Sequence, residues 1–303
     1  MKLTVNNLTK SFAAKEVLKG INLTAQSGQS LGLLGRNGAG KTTTIRIIMG
    51  VFPADGGEIL LDGFPIDRGA VKIGYLPEER GLYQKKLILD QLIYFACLKG
   101  MKSSAARDSA KFWLERLEMG AYANKKLDTL SKGNQQKIQF AATLITDPDV
   151  VILDEPFSGL DPVNAGILKD IVRELAKAGK IVLFSSHQMG YIEEFCENIA
   201  IMNSGRIAVS GSLREVKRGY DRSKMVVTSR RPEEIKAYVE NNLRDIAAKS
   251  ELGKGTLTVT LREAGLKNRF LQSLAQENFD IDEFRVYEPT LNDIFVQYTE
   301  GGI

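Results

Sequence analysis

A glycine-rich segment near the start of the chain has the residue types and spacing of a phosphate-binding loop. It follows an apolar strand pattern at 30–34 and precedes a helical pattern at 41–49. Glycines let successive backbone N–H groups point at one anion, and the positive end of the following helix attracts the same anion. The pattern G-x-x-x-x-G-K-[ST] is formed here by Gly35, Arg36, Asn37, Gly38, Ala39, Gly40, Lys41 and Thr42, with Thr43 directly after them. We expect Lys41 to reach the β- and γ-phosphates of a nucleotide and the Thr42 hydroxyl to bind Mg²⁺.

Two adjacent carboxylates follow a second apolar strand pattern. Residues 150–153 are all apolar and lead directly into Asp154 and Glu155. Because a phosphate loop lies upstream, this position favours a site for metal-assisted phosphoryl transfer over a solvated acidic turn. We expect Asp154 to hold Mg²⁺, usually through water, and Glu155 to orient and deprotonate the attacking water.

The elements that must position these residues alternate between short strands and helices. Almost wholly apolar strand patterns occur at 30–34, 71–76, 150–153 and 181–185. Such strands are typical of a parallel sheet that is covered on both faces, which predicts an α/β core. Two alternating strand patterns, 2–9 and 16–25, precede it. A mostly helical block of about 85–145, in three segments, interrupts the sheet as an inserted helical subdomain.

Past about residue 218 the composition changes. Residues 220–303 contain 12 basic and 14 acidic side chains, so this part carries −2 and residues 1–219 carry +6. The patterns there predict strand 224–229, helix 232–242, strands 245–250 and 255–261, helix 264–277, strand 280–287 and helix 290–299. We therefore divide the chain into a core domain, 1–218, and a small α+β domain, 219–303. The order of its elements suggests a split-βαβ arrangement.

The composition excludes several classes of protein. The 303 residues carry a formal charge of +4, with 43% hydrophobic and 26% charged residues, which is typical of a globular protein rather than a disordered chain or a strongly basic nucleic-acid binder. Cys97 and Cys196 cannot form a four-cysteine zinc site, and a single histidine excludes a His-rich metal site. The sequence has no run of about 18 apolar residues and no signal-peptide pattern. We expect a cytosolic protein that meets a membrane only through a partner.

The order of the motifs resembles that of the nucleotide-binding subunits of ATP-binding cassette (ABC) transporters. Between the phosphate loop and the paired carboxylates lies LSKGNQQ at 130–136, which is similar to the family's signature loop, LSGGQ. SGLDP at 158–162 resembles the family's D-loop, and His187 follows a strand where the family places its switch histidine. Phe12 has the position of the aromatic residue that stacks on adenine. The resemblance covers residues 1 to about 215.

This resemblance implies an ABC-type P-loop ATPase core with an antiparallel N-terminal β subdomain, and ATP and Mg²⁺ as its ligands. Two subunits, identical or different, would hold two ATP molecules head to tail. Ser131 and Gly133 of one chain would then contact the γ-phosphate bound by the other, and Asp161 of the D-loop would belong to the same nucleotide site. His187 and Lys41 would stabilise charge on the transferring phosphoryl group.

Some of these residues have simpler alternative roles. Ser131 could be the N-cap of a helix, which is compatible with an anion site. Phe12 could be an ordinary core residue of a strand. A lone histidine after an apolar strand, such as His187, could be structural.

Two motifs depart from the family's pattern. Lys132 and Asn134 replace a glycine and the glutamine of the signature loop; since Ser131 and Gly133 remain, we expect function to be retained with altered contacts. Glu78 stands where the family commonly has a glutamine that offers a neutral oxygen to Mg²⁺ and the attacking water. A carboxylate there could bind the metal more strongly, repel the phosphate, or be a solvated charge. We assign Glu78 to the metal site as a hypothesis.

The resemblance also implies a membrane partner. The segment 81–83 and the helix that begins near Leu87 resemble the surface that receives a short cytoplasmic helix of a permease, although the same apolar residues could be helix core. The tail from Tyr287 to Phe295 resembles that of subunits serving sodium, antibiotic and drug exporters, and it could equally pack the small domain or help dimerisation.

We therefore expect an ATPase that is peripheral on the cytoplasmic face of the cell membrane and powers a separate permease, in an exporter. The alternative is a soluble ABC-type switch that acts on nucleic acid or the ribosome. The sequence contains no second cassette, long coiled-coil insertion or zinc module that would support this alternative.

Overall fold

The computed structural model describes residues 1–13, 15–79, 81–186, 188–220 and 222–300. The chain divides into two compact units, one of Met1–Leu213 with Phe295–Ile303 and one of Arg214–Ile294. Every helix within the described ranges is too short or too polar to cross a bilayer.

The predicted elements occur in the predicted order, and further elements that were not predicted lie between them. From the N-terminus to Ser212 they are β1 (Lys2–Phe12), β2 (Lys15–Gln26), β3 (Ser30–Gly35), α1 (Lys41–Ile48), β4 (Gly56–Leu61), β5 (Phe64–Pro65), β6 (Ile73–Leu76), α2 (Ile88–Leu98), α3 (Ser103–Arg116), α4 (Lys132–Leu144), β7 (Val150–Asp154), α5 (Pro162–Lys177), β8 (Ile181–Ser185), α6 (Met189–Phe195), β9 (Asn198–Asn203) and β10 (Arg206–Ser212). The rest of the chain forms α7 (Leu213–Arg218), β11 (Lys224–Ser229), α8 (Pro232–Asn242), β12 (Ala247–Leu252), β13 (Thr256–Leu261), α9 (Lys267–Gln276), β14 (Ile281–Val286) and α10 (Leu291–Glu300).

The N-terminal strands form an antiparallel sheet in the order β2-β1-β4-β5. Leu3, Val5 and Leu8 of β1 are buried, and residues between them are partly or fully exposed. The three-residue step from Val5 to Leu8 coincides with a shift of register and with Asn7 at a φ of 46°, which is the geometry of a β-bulge. The bulge keeps the apolar side chains on one face, and the predicted antiparallel subdomain is confirmed.

A second sheet carries the candidate site at one edge. Its order is β10-β9-β3-β8-β7-β6, with β10 antiparallel to β9 and the other five strands parallel. Every residue of β3, β7 and β8 is buried, as their continuous apolar sequences predict. Because parallel strands end at the same edge, the loop after β3 and Asp154 of β7 lie on the same side of the sheet. The sequence analysis gave no strand for β9 or β10.

The core of the first unit lies between these two sheets and around α1. It contains buried aliphatic side chains such as Leu18 of β2, Leu33 of β3 and Ile45 of α1. Arg68 donates from Nε to the carbonyl oxygen of Ile48 at 2.9 Å and from Nη2 to that of the preceding residue at 3.0 Å. These bonds satisfy carbonyl groups that the end of a helix leaves without partners, so α1 is held at its C-terminal end.

The helices α2, α3 and α4 form the inserted helical block. Ala96 of α2 and Ala106 and Ala110 of α3 are fully buried, and such small side chains allow helices to approach closely. Two single-turn 3₁₀ helices, Gly120–Tyr122 and Leu127–Thr129, connect α3 to α4. The three predicted helical segments are confirmed.

The second unit is built around a four-stranded antiparallel sheet, against which α8 and α9 pack. The chain order is strand, helix, strand, strand, helix, strand, and the sheet order is β12-β13-β11-β14. Met225, Val227 and Leu257 of the sheet pack with Ile235 of α8 and Phe270 of α9 in one apolar core. This is the split-βαβ arrangement that the pattern of elements suggested.

Candidate functional site

The loop between β3 and α1 depends on its glycines. Gly38 and Gly40 have φ angles of 80° and 110°, in the left-handed region that favours glycine. A Cβ atom on Gly40 would lie 2.6 Å from Cδ2 of Leu18, and one on Gly35 would lie 2.8 Å from the carbonyl oxygen of Met202. A side chain at either of these two positions would push the loop away from its neighbours, so packing as well as phosphate chemistry requires glycine there.

The other residues of the motif differ in exposure. Arg36, Asn37 and Gly38 form an exposed tip, and Ala39 behind them is buried. At the start of α1, Thr42 is exposed and Thr43 is half-buried. The Thr42 hydroxyl is therefore accessible to a ligand that lies against the loop.

The side chain of Lys41 folds back over this loop. Its Nζ donates hydrogen bonds to the carbonyl oxygens of Gly35 at 2.5 Å and Arg36 at 3.3 Å. Burial lowers the pKa of Lys41, and three neighbouring carboxylates oppose that shift, with the largest contribution from Asp154. The ammonium group thus lies between the loop and the acidic end of β7, where it can bind an anion held by the loop.

Asp154 ends β7 in a buried and polar environment. It is 5% exposed, and burial raises its pKa, as do the charges of Glu78 and Glu155. The nearby Ser185 hydroxyl opposes this shift. The Tyr75 hydroxyl, on the adjacent strand β6, hydrogen-bonds to Asp154, and burial is the main cause that raises the pKa of Tyr75 to about 12. The sequence analysis did not identify Tyr75, because an apolar strand pattern does not show which side chain reaches the neighbouring strand.

Glu155 is held rigidly directly after the strand. Its φ of 49° lies in a region that residues other than glycine rarely adopt, and such strain is concentrated at functional sites. Its Oε2 accepts a hydrogen bond from the Ser186 hydroxyl at 3.0 Å, and its backbone N–H donates to the carbonyl oxygen of Ser185 at 2.9 Å. The predicted switch residue, His187, lies outside the described residues. Ser186 was not identified from the sequence.

The oxygen donors present fit a magnesium ion that is bound together with a nucleotide. Among the side chains that the structure describes, no group of three or more His, Cys, Asp or Glu is arranged to hold a metal ion. Mg²⁺ is commonly bound by one or two carboxylates with substrate phosphates and water. Asp154 is buried, and the Thr42 hydroxyl is accessible. Glu78 is exposed on the loop after β6, and it lies close enough to Asp154 for its charge to raise the pKa of Asp154. Two carboxylates and a hydroxyl match this mode of binding.

The signature and D-loop residues form a second group, in which Ser131 and Asp161 are exposed and Gly133 is half-buried. The Ser131 hydroxyl accepts a hydrogen bond from the backbone N–H of Asn134 at 3.3 Å, so Ser131 is the N-cap of α4. Asp161 is the N-cap of α5 and accepts from the backbone N–H of Asn164 at 2.9 Å. A Cβ atom on Gly133 would lie 3.4 Å from Leu160, so the two helix N-termini are neighbours. Both ends present the partial positive charge of a helix to the surface.

Phe12 is an exposed aromatic ring at the end of β1. Phe12 is 46% exposed, and its ring packs edge-to-face on that of Phe52 with centroids 5.4 Å apart. Nζ of Lys10 lies 5.6 Å from the Phe12 centroid. A ring this exposed is not a core residue, and it offers a face on which a base can stack.

We expect Phe12→Ala to weaken ATP binding about tenfold, since base–aromatic stacking contributes about 1–3 kcal/mol. Equilibrium binding of ATP, measured by isothermal titration calorimetry, checks this. Phe64→Ala is the matched control, because Phe64 is also an exposed phenylalanine of the same sheet and is 75% exposed. Equal affinities for the two variants would rule out stacking on Phe12.

Comparison with known proteins identifies the class. A model of the ABC transporter family matches residues 18–158, and a model of the C-terminal domain of DrrA1-3-like ATP-binding proteins matches residues 211–299. The chain is 41% identical over 296 residues to the uncharacterized ABC transporter ATP-binding protein YhaQ of Bacillus subtilis (strain 168), with 97% of each chain covered. The chain therefore belongs to the family of ABC transporter ATP-binding proteins, as the motif order predicted.

Two further comparisons concern export and assembly. The chain is 34% identical over 210 residues to the Nod factor export ATP-binding protein I of Burkholderia lata, which covers 68% of this chain and 69% of that protein. It also resembles a solved dimeric bacterial ABC transporter cassette, with 24% identity, a TM-score of 0.63, and 70% of this chain and 99% of that chain covered. The second likeness shows the ABC cassette fold. ABC ATP-binding subunits bind ATP, normally with Mg²⁺, and work with membrane permeases.

Proposed function

We propose that this chain binds ATP with Mg²⁺ and hydrolyses it to power a separate membrane permease. The observation that carries the proposal is the convergence of Lys41, Asp154 and Glu155 at the carboxyl edge of the parallel sheet, where the charges of both carboxylates act on the Lys41 ammonium. The Lys41 ammonium beside the phosphate loop and the Glu155 carboxylate held directly after β7 support this proposal. This is the arrangement that phosphoryl transfer to water requires.

In this proposal each residue has a distinct task. Glu155, held by the Ser186 hydroxyl, orients the attacking water and accepts its proton. Lys41 stabilises the charge on the transferring phosphoryl group, and His187 contacts the γ-phosphate. Mg²⁺, held by Thr42, Asp154 and Glu78, would neutralise the phosphate oxygens.

We further propose that the active sites form between two subunits. Ser131, Gly133 and Asp161 are at exposed helix N-termini, which suits contact with the γ-phosphate of ATP bound to another chain. The dimeric cassette to which this chain is similar supports such an assembly. ATP would then join the two chains, and its hydrolysis would release them.

The helical block offers a surface for the permease. Tyr83, Leu87, Tyr94 and Leu98 are 37–64% exposed, whereas Leu92 on the opposite face of α2 is fully buried. The Tyr83 ring stacks parallel to that of Phe95 with centroids 5.9 Å apart, so part of this surface is rigid. We propose that a short cytoplasmic helix of the permease binds there, which places the protein at the cytoplasmic face of the cell membrane.

We also propose that the transporter is an exporter and that the chain functions as a core domain, 1–218, with an accessory domain, 219–303. The similarity to a Nod factor export protein supports export. The match of residues 211–299 to the DrrA1-3-like domain supports an accessory role for the C-terminal part.

Hydrolysis is tested directly by phosphate release from ATP with the purified chain, with and without Mg²⁺. The proposal requires release that depends on both Mg²⁺ and Glu155. Failure of the chain to bind any adenine nucleotide would overturn it.

We expect Tyr94→Glu to weaken attachment to the permease at least about tenfold, because a charge would replace an aromatic anchor at an apolar contact. The measurement is the fraction of the chain that sediments with membranes of its own cells. Phe112→Glu is the matched control, since Phe112 is 60% exposed on the neighbouring helix α3. Both variants should bind ATP normally. An equal loss of sedimentation for both would contradict the proposed docking surface.

A further inference from the structure

A buried side chain of α4 holds the loop that contains Glu78 by hydrogen bonds. Gln139, in the middle of α4, is 4% exposed. Its Nε2 donates hydrogen bonds to the carbonyl oxygens of Pro77 at 3.2 Å and Glu79 at 3.0 Å. These two carbonyl groups flank Glu78 on either side, and a carboxamide nitrogen has two hydrogens to donate. Both hydrogens of one side chain thus hold the backbone on both sides of Glu78.

A second contact, one helical turn away, joins α4 to β6. The Thr143 hydroxyl lies 3.2 Å from the carbonyl oxygen of Tyr75 and 3.0 Å from that of Gln139. A Cβ atom on Gly74 would lie 2.7 Å from the carbonyl oxygen of Thr143, so helix and strand pack at the closest distance that glycine allows. The Tyr75 hydroxyl in turn bonds to Asp154. Helix α4 therefore bonds to the loop that contains Glu78 and to Tyr75, whose hydroxyl bonds to Asp154. Glu78 and Asp154 are the two carboxylates of the candidate metal site.

We propose that Gln139 is a positioning residue that fixes Glu78 where its carboxylate can join a divalent cation bound with the nucleotide. The inference rests on the proposed function. Partners of metal-binding side chains commonly change metal affinity 10–100-fold when they are removed.

The test is the Mg²⁺ dependence of ADP binding, measured by isothermal titration calorimetry. Gln139→Met, which is similar in size and has no donor, is expected to raise the Mg²⁺ concentration for half-maximal tightening of ADP binding about tenfold. Affinity for ADP without metal should stay unchanged. In a Glu78→Ala background the same substitution should have no further effect, since there is no longer a carboxylate to position.

Ser229→Ala is the control. Ser229 lies in the second unit, is 5% exposed, and its hydroxyl accepts a hydrogen bond from the backbone N–H of Arg231 at 3.1 Å. Its loss also removes a buried bond between a side chain and the backbone, but it belongs neither to α4 nor to the Glu78 loop, so the Mg²⁺ dependence should stay as in the wild type. If Gln139→Met does not fold, Gln139→Asn, with a shorter side chain, should show a smaller shift in the same direction.

The possible results distinguish a failure of this inference from a failure of the proposed function. An unchanged Mg²⁺ dependence in a folded Gln139 variant, or an equal loss in the Glu78→Ala background, would overturn the inference alone. Absence of ADP and ATP binding by the wild-type chain would overturn the proposed function together with the inference.

Discussion

Glu155→Gln is expected to slow ATP hydrolysis at least about a hundredfold while ATP binding is retained. Glutamine has the size of glutamate, and its carbonyl oxygen can still accept the hydrogen bond from Ser186. The site should therefore keep its shape, but the amide cannot take a proton from water. Phosphate release under saturating ATP and Mg²⁺ gives the rate, and calorimetry gives the affinity.

The same variant should accumulate an ATP-bound dimer. If hydrolysis releases the two subunits, a chain that binds ATP without hydrolysing it stays closed, and light scattering should show a mass near twice that of the monomer only when ATP is present. Glu79→Gln is the control, because Glu79 is exposed in the acidic segment that follows β6. Turnover by Glu155→Gln at the wild-type rate would remove Glu155 from the role of base.

Lys41→Met is expected to weaken ATP binding at least tenfold and to abolish measurable hydrolysis. The variant removes the cation that lies over the phosphate loop, and hydrogen bonds to charged groups contribute about 1.5–3 kcal/mol each. The variant would also remove the positive charge that offsets the three carboxylates around the site. The loss of affinity should therefore be larger for ATP, which carries phosphates, than for adenosine.

Lys72→Met serves as the control for Lys41, since Lys72 is an exposed lysine just before β6. Calorimetric titration with ATP, ADP and adenosine shows whether the loss follows the number of phosphates. Equal weakening for all three ligands would mean that Lys41 supports the fold of the loop rather than the phosphates.

The helix α4 connects several parts of the proposed mechanism. It begins at Ser131, Gln136 donates from Nε2 to the carbonyl oxygen of Pro156 at 3.2 Å, and Gln139 holds the loop with Glu78. Pro156 directly follows Glu155. A displacement of α4 on dimer formation would thus act on the base and on the metal site through these hydrogen bonds.

The sequence by itself predicted most of the elements of this protein, its family, and the residues proposed to bind the phosphates. Contiguous residues carry the phosphate loop and the Asp154–Glu155 pair, and each is bordered by an apolar run long enough for one buried strand, so local order and spacing suffice to predict them. The second unit was equally predictable, because its helices and strands alternate with clear periodicity. The strands β9 and β10 were not predicted.

Only the tertiary structure decided which distant side chains support the site. Tyr75 reaches Asp154 because β6 pairs with β7, Ser186 reaches Glu155 because β8 pairs with β7, and Gln139 reaches the Glu78 loop because α4 packs on β6. Strand pairing and helix packing bring together residues that are 31–79 positions apart in the chain. A local pattern of apolar residues contains no information on that register, so these contacts could not be predicted from it.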